Sequence, residues 1–474
     1  MKGKNILIAF YGILVFILVF YKSYVSSFTH DESYSFLFYR NDAFLDLLSF
    51  KSCYTNNHIL NSIFIKFINN YVGNEEWMLR FPNVLLFGVY LLYLFKLLKP
   101  FKWWIFAGGF VILSTNLLFV DLFSLARGYG LSMGFMVMGI YYGLQFLKCN
   151  KLKYLYIFHL AFLLAILSSF TLIIVYVSAF AAMHILLHYH TYTTTGKLKL
   201  IDSIKINAIP LLFNVIVLYE PLRRVLTRSS LGFGGKNGFF QDTVFHLLLH
   251  SFNEKTAESY GLIISYVIFT LIMIALILLL SYHFYKKNSF INENKIFIFF
   301  QMTFIFTCTS IILAHLILGV DYPVARFSAF LIPIFLFTLI GGIQYVSFFK
   351  NKFIPSSIMT VWVVFTITMF VKKVTLNATM EWRFDMHTKN MLETLDKKRN
   401  NKQVNLGINW LFEPTINFYR ITKDYNWLNE VDRDGIDENH NFYYIFEEGK
   451  EELVYPVTEI KTFKETNTIL YKKL

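Results

Sequence analysis

Long apolar runs recur along the chain from residue 5 to residue 371, and short polar stretches separate them. Each run approaches the ~20 residues that an α-helix needs to cross the hydrocarbon core of a bilayer. The pattern therefore predicts an α-helical polytopic membrane protein with about eleven transmembrane helices. The predicted spans are residues 5–21, 80–98, 103–120, 128–147, 154–168, 170–189, 201–219, 259–284, 297–319, 326–348 and 354–371.

Two of the stretches between spans, residues 22–79 and 220–258, are long enough to carry structure of their own. In the first, apolar side chains recur at helical spacing over residues 39–50 and 58–72. The second contains a similar stretch at residues 239–252. Such segments are typical of amphipathic helices that lie on a membrane surface.

The chain becomes polar and charged after residue 371. Strand-like runs occur at residues 403–408, 442–446 and 468–472, and a helical run occurs at residues 388–398. This mixture predicts a small C-terminal α/β domain over residues 372–474, following a transmembrane domain over residues 1–371.

The basic residues predict the orientation. Lysines cluster in alternate loops, and the positive-inside rule places such loops in the cytoplasm. Because the number of predicted spans is odd, the N-terminus is expected to be cytoplasmic. The loops at 22–79 and 220–258 and the C-terminal domain are then extracytoplasmic. The net charge of +13 reflects the lysine-rich inner loops, so no nucleic-acid partner is needed to explain it.

Acids and arginines stand out on the predicted outer face. Asp31 and Glu32 are adjacent carboxylates just beyond the first span, where a carboxylate near the low-dielectric boundary can act as a general base. Arg80, Arg127 and Arg326 lie at outer span ends, against the positive-inside trend, and a guanidinium suits phosphate oxygens. The plainer alternatives are solvated loop acids and arginines that reach lipid headgroups.

Other polar residues carry weaker signals. Asn57 and His58 precede the second surface helix and are candidates for binding a sugar or an acceptor, although helix capping explains Asn57 equally well. His246 and His250 share a helix face, but the sequence offers no third metal ligand and no C-x-x-C motif. No metal site is therefore predicted.

Five short motifs follow one another on the predicted outer face. They are His-Asp-Glu-Ser-Tyr at 30–34, Asn-His-Ile-Leu at 57–60, Trp-Met-Leu-Arg-Phe-Pro-Asn at 77–83, Ala-Arg-Gly-Tyr-Gly-Leu at 126–131 and Tyr-Pro-Val-Ala-Arg-Phe at 322–327. In this order they resemble motifs of the GT-C glycosyltransferases, specifically the protein O-mannosyltransferases and the lipid A aminoarabinose transferases. The prolines usual after the His of the second motif are missing here.

The resemblance implies a GT-C fold and an inverting glycosyltransferase that takes its sugar from a polyprenyl-phosphate donor, such as an undecaprenyl monophosphate carrier. Asp31 would be the general base, with Glu32 beside it. Arg80, Arg127 and Arg326 would bind the donor phosphate. Asn57, His58, Tyr129 and Tyr322 are the expected substrate-binding residues.

The acceptor would be a hydroxyl of a glycan, a lipid or a protein, and the enzyme would sit in the bacterial inner membrane. The resemblance implies no cofactor, although a divalent cation held by Asp31 and water is compatible with it. Two other functions stay open: a lipid-linked glycan polymerase or ligase with a diphosphate donor, and a polytopic transporter or flippase.

Overall fold

The computed structural model describes residues 2–52, 54, 56–196, 200–227, 234–253, 259–285, 295–347, 353–453 and 455–474. Its α-helices, in chain order, are α1 Lys2–Val25, α2 His30–Tyr39, α3 Phe44–Leu48, α4 Ile59–Tyr71, α5 Glu76–Leu98, α6 Trp103–Ser114, α7 Leu117–Phe123, α8 Gly128–Cys149, α9 Leu152–Ser168, α10 Leu172–Thr195, α11 Leu200–Thr227, α12 Phe245–Ser251, α13 Ser259–Tyr285, α14 Lys295–Leu318, α15 Leu331–Val346, α16 Phe353–Lys373, α17 Thr388–Lys398 and α18 Glu413–Thr422.

Most of these helices form a membrane-spanning bundle. Eight described helices are long and apolar enough to cross a bilayer, and the bent pair α6–α7 makes a ninth span. Two shorter apolar helices, α9 and α15, occupy the two remaining predicted positions. Each of the eleven predicted apolar runs therefore coincides with a helix or a bent helix pair. The prediction of a polytopic α-helical fold is confirmed.

One predicted span is not a single helix. The run at residues 103–120 is divided into α6 and α7, which are bent by 57°. The break lies at Thr115 and Asn116, where Asn116 Oδ1 accepts the Phe119 amide of α7 at 3.3 Å and Asn116 Nδ2 donates to the carbonyl of His250 at 2.7 Å. These bonds satisfy backbone groups that the break would otherwise leave unpaired.

The bundle has a protein-packed centre and an apolar exterior. Helix α8 packs between α5 and α9, and α14 packs between α10 and α15. Helices α1, α11, α13 and α16 expose many large apolar side chains. An apolar exterior of this kind suits lipid contact, since lipid chains and not water would surround it.

The first outer segment differs in part from its prediction. Helix α4 matches the predicted helix at 58–72, whereas the predicted helix at 39–50 is confirmed only over Phe44–Leu48, the short α3. The chain also forms α2 at His30–Tyr39, which was not predicted. Helix α2 begins at His30 because the Glu32 carboxylate accepts the Thr29 backbone N–H at 2.9 Å, as in a capping box. Asp31 therefore lies in the first turn of a helix.

The second outer segment keeps its predicted helix. A π-helical turn at Phe239–Val244 continues directly into α12, Phe245–Ser251, and together they cover the predicted stretch at 239–252 except for its last residue. Just before it, the backbone of Gly235 pairs with that of Tyr322 through two hydrogen bonds of 2.8 and 3.0 Å. A side chain at Gly235 would collide with Asp242, so this close packing requires glycine.

The C-terminal segment is an α/β unit. Its sheet has the order β1–β2–β4–β3, in which β1 is parallel to β2 and the other two pairs are antiparallel. The strands are β1 Leu406–Ile408, β2 Phe442–Phe446, β3 Val457–Phe463 and β4 Thr468–Lys473. Helix α17 and strand β2 have their predicted bounds, whereas β3 and α18 were not predicted.

This α/β unit packs on the first outer segment. Phe28 stacks on Phe418 of α18 with ring centroids 4.1 Å apart, and Phe36 of α2 meets the same ring edge-on at 5.0 Å. These aromatic rings belong to one buried apolar cluster that also includes Ile65 of α4. The C-terminal unit and the helix that carries Asp31 therefore share a core.

Candidate active site

Asp31 meets two arginines that are distant in the sequence. Its Oδ2 atom lies 3.4 Å from Nη2 of Arg127 and 3.3 Å from Nη2 of Arg326. The three residues come from the first turn of α2, the residue before α8 and the segment before α15. The structure thus brings together the acid and two of the three arginines singled out in the sequence.

Arg127 is held rigidly beside the acid. It is only 1% exposed, and its Nη1 atom donates to the Asp31 carbonyl at 3.2 Å, to Ser35 Oγ at 2.9 Å and to the Asn56 carbonyl at 3.1 Å. The next residue, Gly128, lies so close to the Ser168 carbonyl that any side chain there would collide with it. The guanidinium is therefore fixed before any ligand arrives, which lowers the entropic cost of binding.

Arg326 is held by the C-terminal segment. Its Nη1 atom lies 2.6 Å from Oε2 of Glu381, and its guanidinium stacks on the ring of Trp382 at 4.7 Å. Burial alone would lower the pKa of Arg326, but Tyr129, Asp31 and Glu381 raise it above its ordinary value. The guanidinium therefore stays charged and available to an anion.

Arg80 and Glu32 do not face the site, which corrects their predicted roles in binding the donor phosphate and in catalysis. Both side chains are fully buried, and Nη2 of Arg80 lies 2.7 Å from Oε2 of Glu32. The remaining N–H groups of Arg80 donate to the backbone and hydroxyl oxygens of residues 23, 26 and 27. No donor of Arg80 is left to meet a phosphate.

Glu32 instead holds the backbone segments that carry Asp31 and Arg127. Its carboxylate accepts the Thr29 amide at 2.9 Å and the Ala126 amide at 2.6 Å, in addition to Arg80. Asn61 Nδ2 donates to the carbonyl of the same Ala126 at 2.8 Å. The buried carboxylate thus ties the start of α2, which carries Asp31, to the residue before Arg127.

Asp31 and the two arginines line a polar cavity of about 340 Å³. The other residues that line it are His30, Tyr34, Tyr54, Asn56, Tyr129, Phe327 and Arg433. Arg433 comes from the C-terminal segment and was not predicted as a site residue. The cavity therefore carries three guanidinium groups against one lining carboxylate, and this charge suits an anionic ligand.

A second, mainly apolar cavity of about 160 Å³ adjoins the first and shares Tyr129 and Phe327 with it. Asn57 and His58 line this second cavity, not the one that holds Asp31. Burial and the charge of Arg127 lower the pKa of His58 well below its ordinary value, so the ring is neutral. Because its Nδ1 lies 2.7 Å from the Ser168 carbonyl, Nδ1 carries the proton and Nε2 is an open acceptor.

Tyr322 lines neither cavity, so the structure does not support its expected role in substrate binding. Its ring stacks on His315 with centroids 4.1 Å apart, and its backbone pairs with Gly235. His246 and His250 stack on each other at 6.0 Å. Within the described ranges, no cluster of three or more His, Cys, Asp or Glu side chains could hold a metal ion.

The C-terminal segment is bonded directly to the turn that bears Asp31. Oδ2 of Asp385 accepts the His30 amide at 2.6 Å, and the Leu411 carbonyl lies 2.6 Å from His30 Nδ1. Asp385 is buried, and this burial, with the nearby charges of Asp31 and Glu32, raises its pKa well above its ordinary value. Sequence reasoning missed these contacts, although the acidic and aromatic residues at 381–385 lie shortly after the last span, which ends at Lys373.

The raised pKa of Asp385 predicts an unusual pH dependence. Because this pKa is raised in the folded protein, the carboxyl ionises near pH 4 in the unfolded chain but only at higher pH in the fold, so this group destabilises the fold increasingly as the pH rises above about 4. Asp385→Asn keeps an oxygen for the His30 amide and removes the titration. We expect the melting temperature of the variant, relative to wild type, to rise between pH 4 and pH 8. A constant difference over that range would contradict the assignment.

The sequence was compared with known proteins. A model of the dolichyl-phosphate-mannose-protein mannosyltransferase family matches residues 59–212. The resemblance to the GT-C glycosyltransferases is confirmed. The matched segment contains Arg80, Arg127 and Tyr129, whereas Asp31 and Arg326 lie outside it.

Solved structures and curated proteins were compared as well. The crystal structure of ArnT from Cupriavidus metallidurans bound to undecaprenyl phosphate is similar to this chain. Their sequences are 12% identical, the similarity covers 98% of each chain, and the TM-score is 0.46. No curated protein matches the sequence.

Proposed function

We propose that this protein is an inverting membrane glycosyltransferase that moves a sugar from a polyprenyl-phosphate donor to an acceptor hydroxyl, with Asp31 as the general base. The family match supports the coarser part of this statement, a membrane glycosyltransferase with a lipid-linked donor. The finer part rests on one observation: a carboxylate in contact with two guanidinium groups at a polar cavity.

The contacts of Asp31 suggest how the donor enters. Two guanidinium groups contact the same oxygen of the Asp31 carboxylate, so an anion at that position would meet both of them. A donor phosphate would take over part of these contacts, since guanidinium groups bind phosphate oxygens in paired hydrogen bonds. The Asp31 carboxylate would then be released to accept a proton.

The reaction follows from this arrangement. The acceptor hydroxyl gives its proton to the Asp31 carboxylate while its oxygen bonds to the anomeric carbon. The bond from that carbon to the phosphate oxygen breaks, and the electron pair leaves with the lipid phosphate. Arg127 and Arg326 would stabilise the charge that develops there, as preorganised donors do in other active sites. The sugar passes through an oxocarbenium-like transition state, as in glycoside hydrolysis.

The second cavity offers a place for the rest of the donor. It is mainly apolar, it includes Phe50, Val225 and Phe330, and it adjoins the polar cavity at Tyr129. Contact with a prenyl chain would therefore bury apolar surface. The open acceptor at His58 Nε2 lies in the same cavity and could take a hydrogen bond from a sugar hydroxyl.

The distribution of charge supports a transferase at one face of the membrane. Asp31, Arg127 and Arg326 lie together at one end of the bundle, whereas transporters place their binding sites near the midplane. Lys96, Lys148 and Lys295 surround a cavity formed by the opposite helix ends. By the positive-inside rule, that end is cytoplasmic. We therefore place the enzyme in a bacterial inner membrane, with the site and the C-terminal segment outside.

Donor binding tests this proposal. We expect purified wild type in nanodiscs to bind undecaprenyl phosphate, and Arg127→Gln and Arg326→Gln each to weaken it by about tenfold or more, because each loses a charge-assisted hydrogen bond. Arg223→Gln is the matched control, since Arg223 lies at the same end of the bundle, is exposed and pairs with Glu220 of its own helix. Equal binding by all three variants would refute the phosphate assignment.

A further inference from the structure

Four aromatic rings lie at the polar cavity: Tyr34 and Tyr54 line it, and Phe38 and Trp410 pack on its lining residues. Tyr34 stacks on Phe38 with centroids 4.2 Å apart and lies 6.5 Å from Tyr54. On the other side, the ring of Trp410 lies 5.9 Å from that of His30. Phe38, Tyr54 and Trp410 are each more than half exposed. We call Tyr34, Phe38, Tyr54 and Trp410 the aromatic rim.

The rim is assembled from two parts of the chain. Three of its rings come from the first outer segment, and Trp410 comes from the C-terminal segment. A cluster of exposed apolar rings on a protein surface often marks a binding site. Because Tyr34 and Tyr54 line the cavity that holds Asp31, and Phe38 and Trp410 pack on the lining residues Tyr34 and His30, the four rings lie beside the position of an acceptor that reaches Asp31.

Arg433 adds a charge to the rim. Its guanidinium stacks on Trp410 at 5.5 Å, and only its Nε is bonded, to Oε2 of Glu413 at 3.1 Å. Its two terminal nitrogens make no hydrogen bond with any residue in the described ranges, and the side chain is 43% exposed. Unlike Arg127 and Arg326, Arg433 does not contact Asp31. It is therefore available for a second anionic group besides the donor phosphate.

We propose that the aromatic rim and Arg433 form an acceptor subsite for an acidic saccharide. The C–H faces of a sugar ring are weakly positive and pack against the negative faces of aromatic rings. The planar fork of Arg433 would pair with a carboxylate or phosphate carried by the same saccharide. A peptide acceptor would need partners for its backbone groups, and rings with one guanidinium do not supply them.

This inference rests on the proposed function, because it requires an acceptor hydroxyl to reach Asp31. The probe is a short oligogalacturonate, compared with its methyl ester, which keeps the sugar rings and removes the charge. Binding to full-length protein in nanodiscs is measured by saturation-transfer NMR and titration. We expect wild type to bind the acid and to bind the ester more weakly.

Substitutions at Trp410 and Arg433 test the aromatic and the charged part of the subsite separately. Trp410→Ala should weaken binding of both probes by about threefold to tenfold, whereas Trp410→Phe should retain most of it. Arg433→Gln should weaken binding of the acid by about tenfold and abolish its preference over the ester. Trp427→Ala and Arg399→Gln are matched controls, because Arg399 also stacks on a tryptophan, at 5.0 Å, and pairs with a carboxylate, Asp396.

The outcomes separate the two proposals. Absence of oligogalacturonate binding to wild type, or equal binding by the Trp410 and Trp427 variants, would overturn the acceptor subsite. Binding of a serine- and threonine-rich peptide that depends on Trp410 would overturn it in favour of a protein acceptor. Retained saccharide binding without any binding of undecaprenyl phosphate would instead refute the proposed donor and leave the subsite in place.

Discussion

Asp31→Asn should reduce glycosyl transfer by about 10²–10⁴-fold, the usual contribution of a general base. The amide keeps the shape of the side chain but cannot take the proton of the acceptor hydroxyl. Donor binding should persist or become tighter, since the carboxylate that competes with the phosphate for Arg127 and Arg326 is gone. The measurement is single-turnover transfer together with the dissociation constant of undecaprenyl phosphate.

Asp46→Asn is the control for this substitution. Asp46 is an acid of the same outer segment, but it is partly exposed and pairs with Lys51 on the surface. We expect its replacement to leave transfer unchanged. Normal turnover by Asp31→Asn would rule out Asp31 as the base, and loss of both turnover and donor binding would assign it to donor binding instead.

Glu32→Ala should lower the free energy of unfolding by about 3–5 kcal/mol, because it leaves the Arg80 charge buried without its partner. The amides of Thr29 and Ala126 would also lose their acceptor. Asp31 and Arg127 should consequently shift, so activity should fall even at temperatures where the variant is folded. Thermal unfolding in nanodiscs and transfer assays below the melting temperature measure the two effects.

Replacing both Glu32 and Arg80 tests whether the unpaired charge causes the loss of stability. The double variant Glu32→Met with Arg80→Met removes the unpaired charge, so it should regain part of the lost stability. Glu75→Gln is the control, since Glu75 forms a partly exposed ion pair with Lys423 and should change stability by less than about 1 kcal/mol. A Glu32→Ala protein as stable as the Glu75→Gln protein would show that the buried pair contributes little.

The fold was largely predictable because membrane spans leave a strong one-dimensional signal. A run of apolar residues must be helical in lipid, whatever its neighbours are, so the eleven runs could be located without tertiary information. The break at Asn116 was missed because its stability depends on His250, which is far away in the sequence. The start of α2 was missed because Glu32 was interpreted as a catalytic residue and not as the residue that caps this helix.

The sequence predicted only those site residues whose charge is unusual for their position in the chain. Asp31, Arg127 and Arg326 were singled out because charged residues at outer span ends need a reason to be there. Arg80 fitted the same criterion, yet it is buried against Glu32, and only coordinates distinguish a charge that pairs internally from one that faces a cavity. Glu381 and Arg433 lie in a polar segment where charges are ordinary, so nothing in the sequence marked them.

A structure determined with undecaprenyl phosphate bound would test the central claim most directly. We predict that the phosphate lies within hydrogen-bond distance of both Arg127 and Arg326, at the cavity lined by Asp31, with the prenyl chain leading into the apolar cavity beside Tyr129. A phosphate bound elsewhere, for example among Lys96, Lys148 and Lys295 at the opposite end of the bundle, would contradict the proposed function.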